Sequence, residues 1–169
     1  MKNQRGFTLI ELLVVIAIIG VLATIVLASL GQARTKALTA KAISELRSLH
    51  QNFEIYNLDN NNNYPADVSP DVLPSGMEIY LTAGWPEGPY PGSVYDWDYW
   101  DEGTLNEAVQ LSVRFCGTNG NTADCNFPDE DWAANFTNNQ NAAYYCISGA
   151  CRPWETDTAG AVPGYCFNC

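Results

Sequence analysis

The chain has 169 residues and a net charge of −11, and this charge is distributed unevenly. Up to Phe53 there are six basic and two acidic residues, a net charge of +4, whereas from Glu54 onward two basic and 17 acidic residues give −15. A surface that binds a nucleic-acid backbone needs clustered Lys and Arg, so the acidic part excludes direct nucleic-acid binding. The length predicts one globular domain beside an N-terminal segment.

An apolar run lies near the N-terminus, and Leu12–Leu30 contains no charged residue. As one helix, Phe7–Leu30 would be about 36 Å long, enough to cross a hydrocarbon core of about 30 Å. Glu11 is the one carboxylate in this apolar stretch, and a charge there costs roughly 2.5–3.5 kcal/mol, so it calls for a partner. Lys2 and Arg5 precede the run, so the positive-inside rule keeps this end in the cytoplasm and places the acidic part outside.

Three interpretations of this segment compete. A plain membrane anchor, as in a monomeric receptor, gives Glu11 no role. A secretory signal peptide has a shorter apolar core and a small-residue cleavage site, for which residues 31–33 are a weak match. In the third interpretation the segment belongs to a prepilin, because it resembles the processing site of type IV prepilins and of the pseudopilins of type II secretion. The residues that carry this resemblance are Gly6, Phe7, Thr8, Leu9, Ile10, Glu11 and Leu12.

The resemblance implies a processing step and an assembled state. It implies that residues 1–6 are a leader peptide, which prepilin peptidase removes by cutting between Gly6 and Phe7 before it N-methylates Phe7. It places the assembly glutamate of the family on Glu11. A buried carboxylate is favourable only when its cation is present, and the nearest candidate cation is the α-amino group of Phe7 in a neighbouring subunit.

The predicted protein is therefore a single-pass precursor in the cytoplasmic membrane with its head outside. It is then the structural subunit of a homo-oligomeric type IV pilus-like filament for adhesion, motility, uptake or secretion, built by a pilus or secretion assembly machinery. One alternative is a type II secretion pseudopilin, which works in a periplasmic pseudopilus. Another is a minor or tip subunit whose head binds a ligand as an adhesin.

The apolar helix is predicted to continue over residues 31–58 as an amphipathic helix. Its apolar residues recur at steps of three and four, and they need a sheet to cover them. The Asn-rich run after Asp59 and then Pro65 end the helix. Residues 59–169 are then the acidic globular head. The residues of the apolar stripe are Leu38, Ala42, Leu46, Leu49, Phe53 and Tyr56.

The head is predicted to contain an antiparallel sheet. Residues 93–100 and 109–115 alternate as two strands of a hairpin, and residues 143–148 are a further strand. If Tyr95 and Trp97 point inward, Asp96 and Asp98 point to solvent. The fold class is therefore α+β: a long N-terminal helix, its first half transmembrane, packs on an antiparallel sheet with a disulfide-rich C-terminal part, as in pilins.

Six cysteines lie in the last third of the chain, and an even number outside the cytoplasm predicts three disulfides. Their pairing has fifteen possibilities. A less favoured interpretation makes residues 146, 151, 166 and 169 a four-thiolate zinc site. A redox role for the final Cys-x-x-Cys is disfavoured, because no strand-to-helix context lowers a thiol pKa there. The cysteines are Cys116, Cys125, Cys146, Cys151, Cys166 and Cys169.

Acidic clusters in the head make calcium the one cofactor considered, since calcium prefers carboxylate and carbonyl oxygens. The resemblance to pseudopilins, some of which bind calcium in head-domain loops, favours a calcium site. The alternative interpretation of these clusters is an acidic, soluble surface. An aromatic band over residues 85–100 is interpreted as packing rather than as a sticky surface for a polysaccharide or a partner. No phosphate loop or nucleophile triad appears, so an enzyme is rejected. The calcium candidates are Asp96, Asp98, Asp101, Asp124 and Asp129.

Overall fold

A computed structural model describes residues 7–100, 107–154 and 162–169 of the chain. The predicted leader with Gly6, and the calcium candidate Asp101, lie outside these described residues. The chain divides into two compact units, Met1–Ala37 and Leu38–Cys169.

The helix α1 spans Leu9–Asp59, 51 residues without a break. It ends in the Asn-rich run, where Asn61 and Asn62 adopt left-handed φ angles of 58° and 60°. Asn tolerates this conformation better than most residues, and the amide of Asn62 donates to the carbonyl of Asn57 at 2.8 Å. Local backbone chemistry thus stops the helix where the sequence predicts it.

The predicted apolar stripe is the side of α1 that the head buries. Ala42, Leu46 and Phe53 are fully buried, and Leu49 is 3% exposed. The ring of Phe53 stacks on that of Trp97, with centroids 3.9 Å apart and an interplanar angle of 18°. Beyond the apolar core, the Tyr95 hydroxyl donates to Oε2 of Glu45 at 2.7 Å and fixes the sheet to the helix.

The sheet has four strands in the order β1-β2-β3-β4. They are β1 Val94–Trp100, β2 Ala108–Arg114, β3 Ala142–Gly149 and β4 Gly164–Cys166. The predicted hairpin is confirmed, because β1 and β2 pair antiparallel with Trp97 opposite Leu111. β2 and β3 also pair antiparallel. The fourth strand, β4, was not predicted, and it pairs parallel with β3, so the sheet is not wholly antiparallel as predicted.

Three disulfides crosslink the C-terminal part, and each joins two cysteines that are close in sequence. They link Cys116 to Cys125, Cys146 to Cys151, and Cys166 to Cys169, with sequence separations of 9, 5 and 3. The four thiols of the less favoured zinc interpretation are therefore divided between two disulfides.

The face of the sheet opposite α1 corrects one prediction. Tyr95 and Trp97 point into the core as predicted, but Asp96 and Asp98 are only 3% and 2% exposed. They are buried because the segment 150–154 lies across this face, as the hydrogen bonds described below establish. The acidic residues of β1 therefore belong to a second, polar core and not to a solvated surface.

Candidate functional site

Thr8 and Glu11 form a reciprocal pair at the start of α1. Oε2 of Glu11 accepts hydrogen bonds from the Thr8 amide and from Thr8 Oγ1, both at 2.8 Å, and Thr8 Oγ1 accepts one from the Glu11 amide at 3.3 Å. This arrangement is a capping box, which satisfies amides that a helix N-terminus leaves without partners. Threonine three residues before a glutamate and next to an apolar run was the sequence signal for it, but the sequence interpretation used Glu11 only for its charge.

The first part of α1 is an exposed apolar surface. Its large apolar side chains from Phe7 to Leu30 are between 47% and 87% exposed. By length and composition this helix can cross a membrane. Glu11 is the only acidic residue between Leu9 and Ser44, so this surface carries a single negative charge close to its start.

A buried ionic network occupies the face of the sheet opposite α1. Nε of Arg114 donates to Oδ2 of Asp96 at 2.9 Å, and its NH2 group donates to Oδ1 of Asp98 at 2.8 Å. Its NH1 group donates to the carbonyl of Pro153. Two carboxylates thus share one guanidinium, and all three side chains are 6% exposed or less.

Burial and charge perturb the ionisation of this network. Burial, reinforced by Asp98 and opposed by Arg114, raises the pKa of Asp96 to about 8. Burial works against the charge on Arg114, but Asp98 and Asp96 outweigh it and raise the guanidinium pKa further. Arg114 therefore keeps its charge, and the environment of Asp96 favours its protonated form more than water does.

Polar residues of β2 hold the segment 150–154 across this face. Gln110 Nε2 donates to Oδ2 of Asp98 at 3.0 Å and to the Arg152 carbonyl at 2.6 Å, and the Arg152 amide donates back to Gln110 Oε1 at 2.9 Å. Ser112 Oγ donates to Oδ2 of Asp98 at 2.8 Å. The Arg152 guanidinium lies 4.9 Å from the ring centroid of Trp100. Sequence reasoning missed this network, although the polar residues alternate along β2.

The four calcium candidates that the structure describes are not brought together as one site. Asp96 and Asp98 share Arg114, whereas Asp124 and Asp129 are exposed in the segment between β2 and β3. Oδ2 of Asp124 accepts a hydrogen bond from Asn119 Nδ2 at 3.3 Å. Within the ranges that the structure describes, no three His, Cys, Asp or Glu side chains are grouped so that they could hold a metal ion.

The aromatic band packs against the core. Tyr95 and Trp97 are fully buried, and Tyr90 and Trp100 are 3% and 6% exposed. The indole Nε1 of Trp97 donates to the carbonyl of Pro65 at 3.0 Å, which gives a buried donor its partner. The packing interpretation is therefore confirmed for Tyr90, Tyr95 and Trp97, whereas Trp100 lies outside this core under the guanidinium of Arg152.

A family model and several known proteins resemble part of the chain. The family model for the prokaryotic N-terminal methylation motif matches residues 1–27. A type II secretion system core protein G of Klebsiella michiganensis is 42% identical over 102 residues, 54% of this chain and 71% of that protein. No solved structure matches the chain significantly.

Other relatives share a shorter region. A core protein G of Pectobacterium carotovorum subsp. carotovorum is 49% identical over 38% of this chain and 40% of its own length. A "Type IV wide pilus major component PilA4" of Thermus thermophilus is 44% identical over 36% of this chain and 47% of its own length. The chain thus spans less than half the length of these two relatives. From the match to the Klebsiella protein, together with the methylation motif, we conclude that the chain belongs to the family of type IV pilins and type II secretion pseudopilins.

Proposed function

We propose that the chain is a non-enzymatic structural subunit of a pilus-like filament. It enters the cytoplasmic membrane as a single-pass precursor with its head outside, is cut by prepilin peptidase between Gly6 and Phe7, and is N-methylated on Phe7. An assembly machinery then packs its N-terminal helix among those of neighbouring subunits. The observation that carries this proposal is the exposed apolar surface of α1 with its single carboxylate.

The apolar surface of α1 is too large to face water. Sixteen large apolar side chains between Phe7 and Leu30 are at least 47% exposed. Burying one such side chain fully stabilises by about 1.5–3 kcal/mol, and contiguous apolar patches of this kind mark membrane or protein interfaces. Lipid covers the surface before assembly, and the helices of neighbouring subunits cover it afterwards.

Glu11 supports the assembled state because its charge has no cation on its own helix nearby. The first basic residue after it is Arg34, about 35 Å further along a helix. The capping box gives Oε2 of Glu11 two hydrogen bonds but no positive charge. After cleavage, the α-amino group of Phe7 in a neighbouring subunit supplies the cation, and this pair fixes the axial register of the helices.

Two variants separate the charge of Glu11 from its role in the helix cap. Glu11→Gln removes the charge but keeps an acceptor oxygen for Thr8, whereas Thr8→Val removes the hydroxyl and keeps the charge. We expect Glu11→Gln to lower the sheared filament fraction at least about tenfold, since breaking a buried pair costs about 3–5 kcal/mol. Thr8→Val costs only about 0.5–2 kcal/mol of cap and should assemble to near the normal level.

The readout is the amount and the intact mass of protein sheared from cells, with membrane fractions measured in parallel. The assembled chain is expected to start at N-methylated Phe7 and to be six hydrogens lighter than the reduced chain, because it holds three disulfides. Normal filament yield from Glu11→Gln would refute the role of its charge. A chain that still carries Met1 and stays in the membrane would refute the proposed function.

The names of the relatives bear on which filament is built. Several are type II secretion core proteins, which favours a periplasmic pseudopilus, whereas the Thermus protein is named as a pilus component. Deleting the gene should stop the export of secreted proteins if the filament is a pseudopilus. If export continues and surface filaments disappear, the subunit belongs to a pilus.

Calcium binding by the head stays a prediction, and its support is the acidic residues of the head alone. Asp124 and Asp129 are the exposed candidates among the described residues. Calorimetric titration of the full chain in detergent with calcium tests it, and the absence of heat would end the prediction.

A further inference from the structure

A cavity of about 200 Å³ opens on the face of the sheet that bears the ionic network. Asp67, Asp96, Asp98, Trp100 and Trp154 are among its lining residues. A second cavity of about 230 Å³ shares Pro70, Arg114 and Trp154 with it, so the two adjoin. The first has the volume of about seven water molecules at roughly 30 Å³ each, which suits one small polar ring.

The first cavity is acidic, and the head has no spare cation for it. Three carboxyl groups line it beside one guanidinium. From Glu54 onward the basic residues are Arg114, which sits between Asp96 and Asp98, and Arg152, whose guanidinium lies over Trp100. Residues 101–106 and 155–161, which flank Trp100 and Trp154 in sequence, contain no Lys or Arg. A positive charge that complements this cavity must therefore come from a ligand.

Asp96 also has an oxygen atom without a hydrogen-bond partner among the described residues. The residue lines the cavity and is 3% exposed. Its Oδ2 accepts from Arg114, but its Oδ1 is buried and receives no hydrogen bond from the residues that the structure describes. A buried polar atom without a partner is unfavourable, so a ligand group that pairs with Oδ1 gains an interaction that the empty protein lacks.

The walls of the paired cavities suit a saccharide. Trp154 is 37% exposed, so it presents aromatic surface to a ligand. Aromatic faces attract cationic groups, and binding sites for small molecules combine apolar walls with a few placed polar groups. Polar residues also line the second cavity, among them Thr118, Asn119 and Asn139.

We propose that these adjoining cavities bind a sugar that carries a free amine. The ammonium group lies in the first cavity beside Asp67 and Asp96, the ring packs on Trp154, and a second sugar unit extends toward Asn119 and Asn139. Anionic sugars are excluded, because the head has a net charge of −15 from Glu54 onward. This inference goes beyond the proposed function, since it concerns the head alone, but a filament would present many copies and turn weak binding into avidity.

The test is titration of the full chain in detergent, labelled with ¹⁵N-tryptophan, by the β-1,4-linked disaccharide of glucosamine. The chain has five tryptophans, and the indole N–H signal of each one reports a change in its own surroundings. We expect the signals of Trp100 and Trp154 to shift and saturate in the millimolar range. Those of Trp85, Trp97 and Trp132 should not move. The N-acetylated disaccharide, which lacks the charge, should bind at least about fivefold more weakly.

Matched variants assign the site. The Tyr99 amide donates a hydrogen bond to Oδ1 of Asp67 at 2.9 Å, and Asp67→Asn keeps an oxygen that can accept it. Because the variant removes the negative charge, it should bind the disaccharide about fivefold more weakly. Its control is Asp71→Asn, the same charge change in the same loop at a residue outside both cavities. Trp154→Ala should abolish the saturable shift of Trp100. Its control is Tyr165→Ala, because Tyr165 is also 37% exposed but stacks on Trp132.

Several outcomes would overturn the proposal. These are no shift with the amine-bearing disaccharide, uniform shifts of all five indoles, or equal affinity for the N-acetylated form. An equal response to butylamine would assign the cavity to a simple cation and overturn the saccharide. Since the assay needs no filament, a failure of assembly leaves its result intact, and a failure to bind leaves the filament proposal intact.

Discussion

Replacing Arg114 by methionine should expose how far the head depends on its polar core. The substitution keeps an unbranched, apolar side chain but removes the guanidinium that donates to Asp96, Asp98 and the Pro153 carbonyl. Two carboxyl groups then remain buried without a cation, at 3% and 2% exposure. The variant thus removes one partner of a buried ionic network and leaves the others in place.

The expected cost is about 3–5 kcal/mol, the range for breaking a buried pair by removing one partner. A domain of this size is stable by about 5–15 kcal/mol in total, so Arg114→Met should lose a large part of that stability. Adding Asp96→Asn and Asp98→Asn to Arg114→Met should recover part of the loss, because neutral amides carry a smaller desolvation penalty than carboxylates.

The assay is urea unfolding of the full chain in detergent, followed by near-ultraviolet circular dichroism of the head. The matched control is Arg47→Met on the exposed side of α1, where a surface substitution should change stability by no more than about 0.5 kcal/mol. If Arg114→Met loses less than about 1 kcal/mol, water reaches the network and screens it, and the description of a polar core is refuted.

Two further predictions concern the pH dependence and the apolar core. Because the pKa of Asp96 rises from 3.8 to about 8 on folding, the folded head holds a proton there that the unfolded chain releases. The contribution of Asp96 to the stability of the head should therefore be greatest below pH 4 and fall by up to about 1 kcal/mol per pH unit toward pH 8. Urea unfolding midpoints measured at pH 5 and pH 8 should show this fall, and the Asp96→Asn variant should show a smaller one. An equal fall in the variant would contradict the prediction. Phe53→Ala removes a fully buried ring stacked on Trp97 and should cost about 3–5 kcal/mol in the same assay, with the exposed Ile55→Ala within about 1 kcal/mol as the contrast.

The correct predictions of the fold came from the regular spacing of apolar residues along the sequence. The stripe from Leu38 to Tyr56 on α1 and the alternation in β1 and β2 each report burial through a regular spacing, so the helix, the hairpin and the inward side of Trp97 could be predicted. The sequence resemblance carried the family membership in the same way, through a short motif at the N-terminal end.

The polar core could not be predicted, because alternation identifies two faces but does not say what covers the second. Asp96 and Asp98 looked solvated, and the cover comes from Arg152 and its neighbours, about 40 residues beyond Gln110 in sequence. The segment 150–154 has no periodic pattern, so its position depends on tertiary hydrogen bonds alone. The parallel strand β4, three residues long, was missed for the same reason.

The disulfides have a consequence for how the head matures. Along the chain the six cysteines pair first with second, third with fourth and fifth with sixth. If the head crosses the membrane from its N-terminal side, as the proposed function implies, the two cysteines of each pair meet before the next pair has crossed. The closed loops are short, so each crosslink removes little entropy from the unfolded chain. Oxidation can therefore proceed vectorially and without reshuffling, and the crosslinks rigidify the loops around the sheet while the helix stripe and the polar core decide whether the head folds.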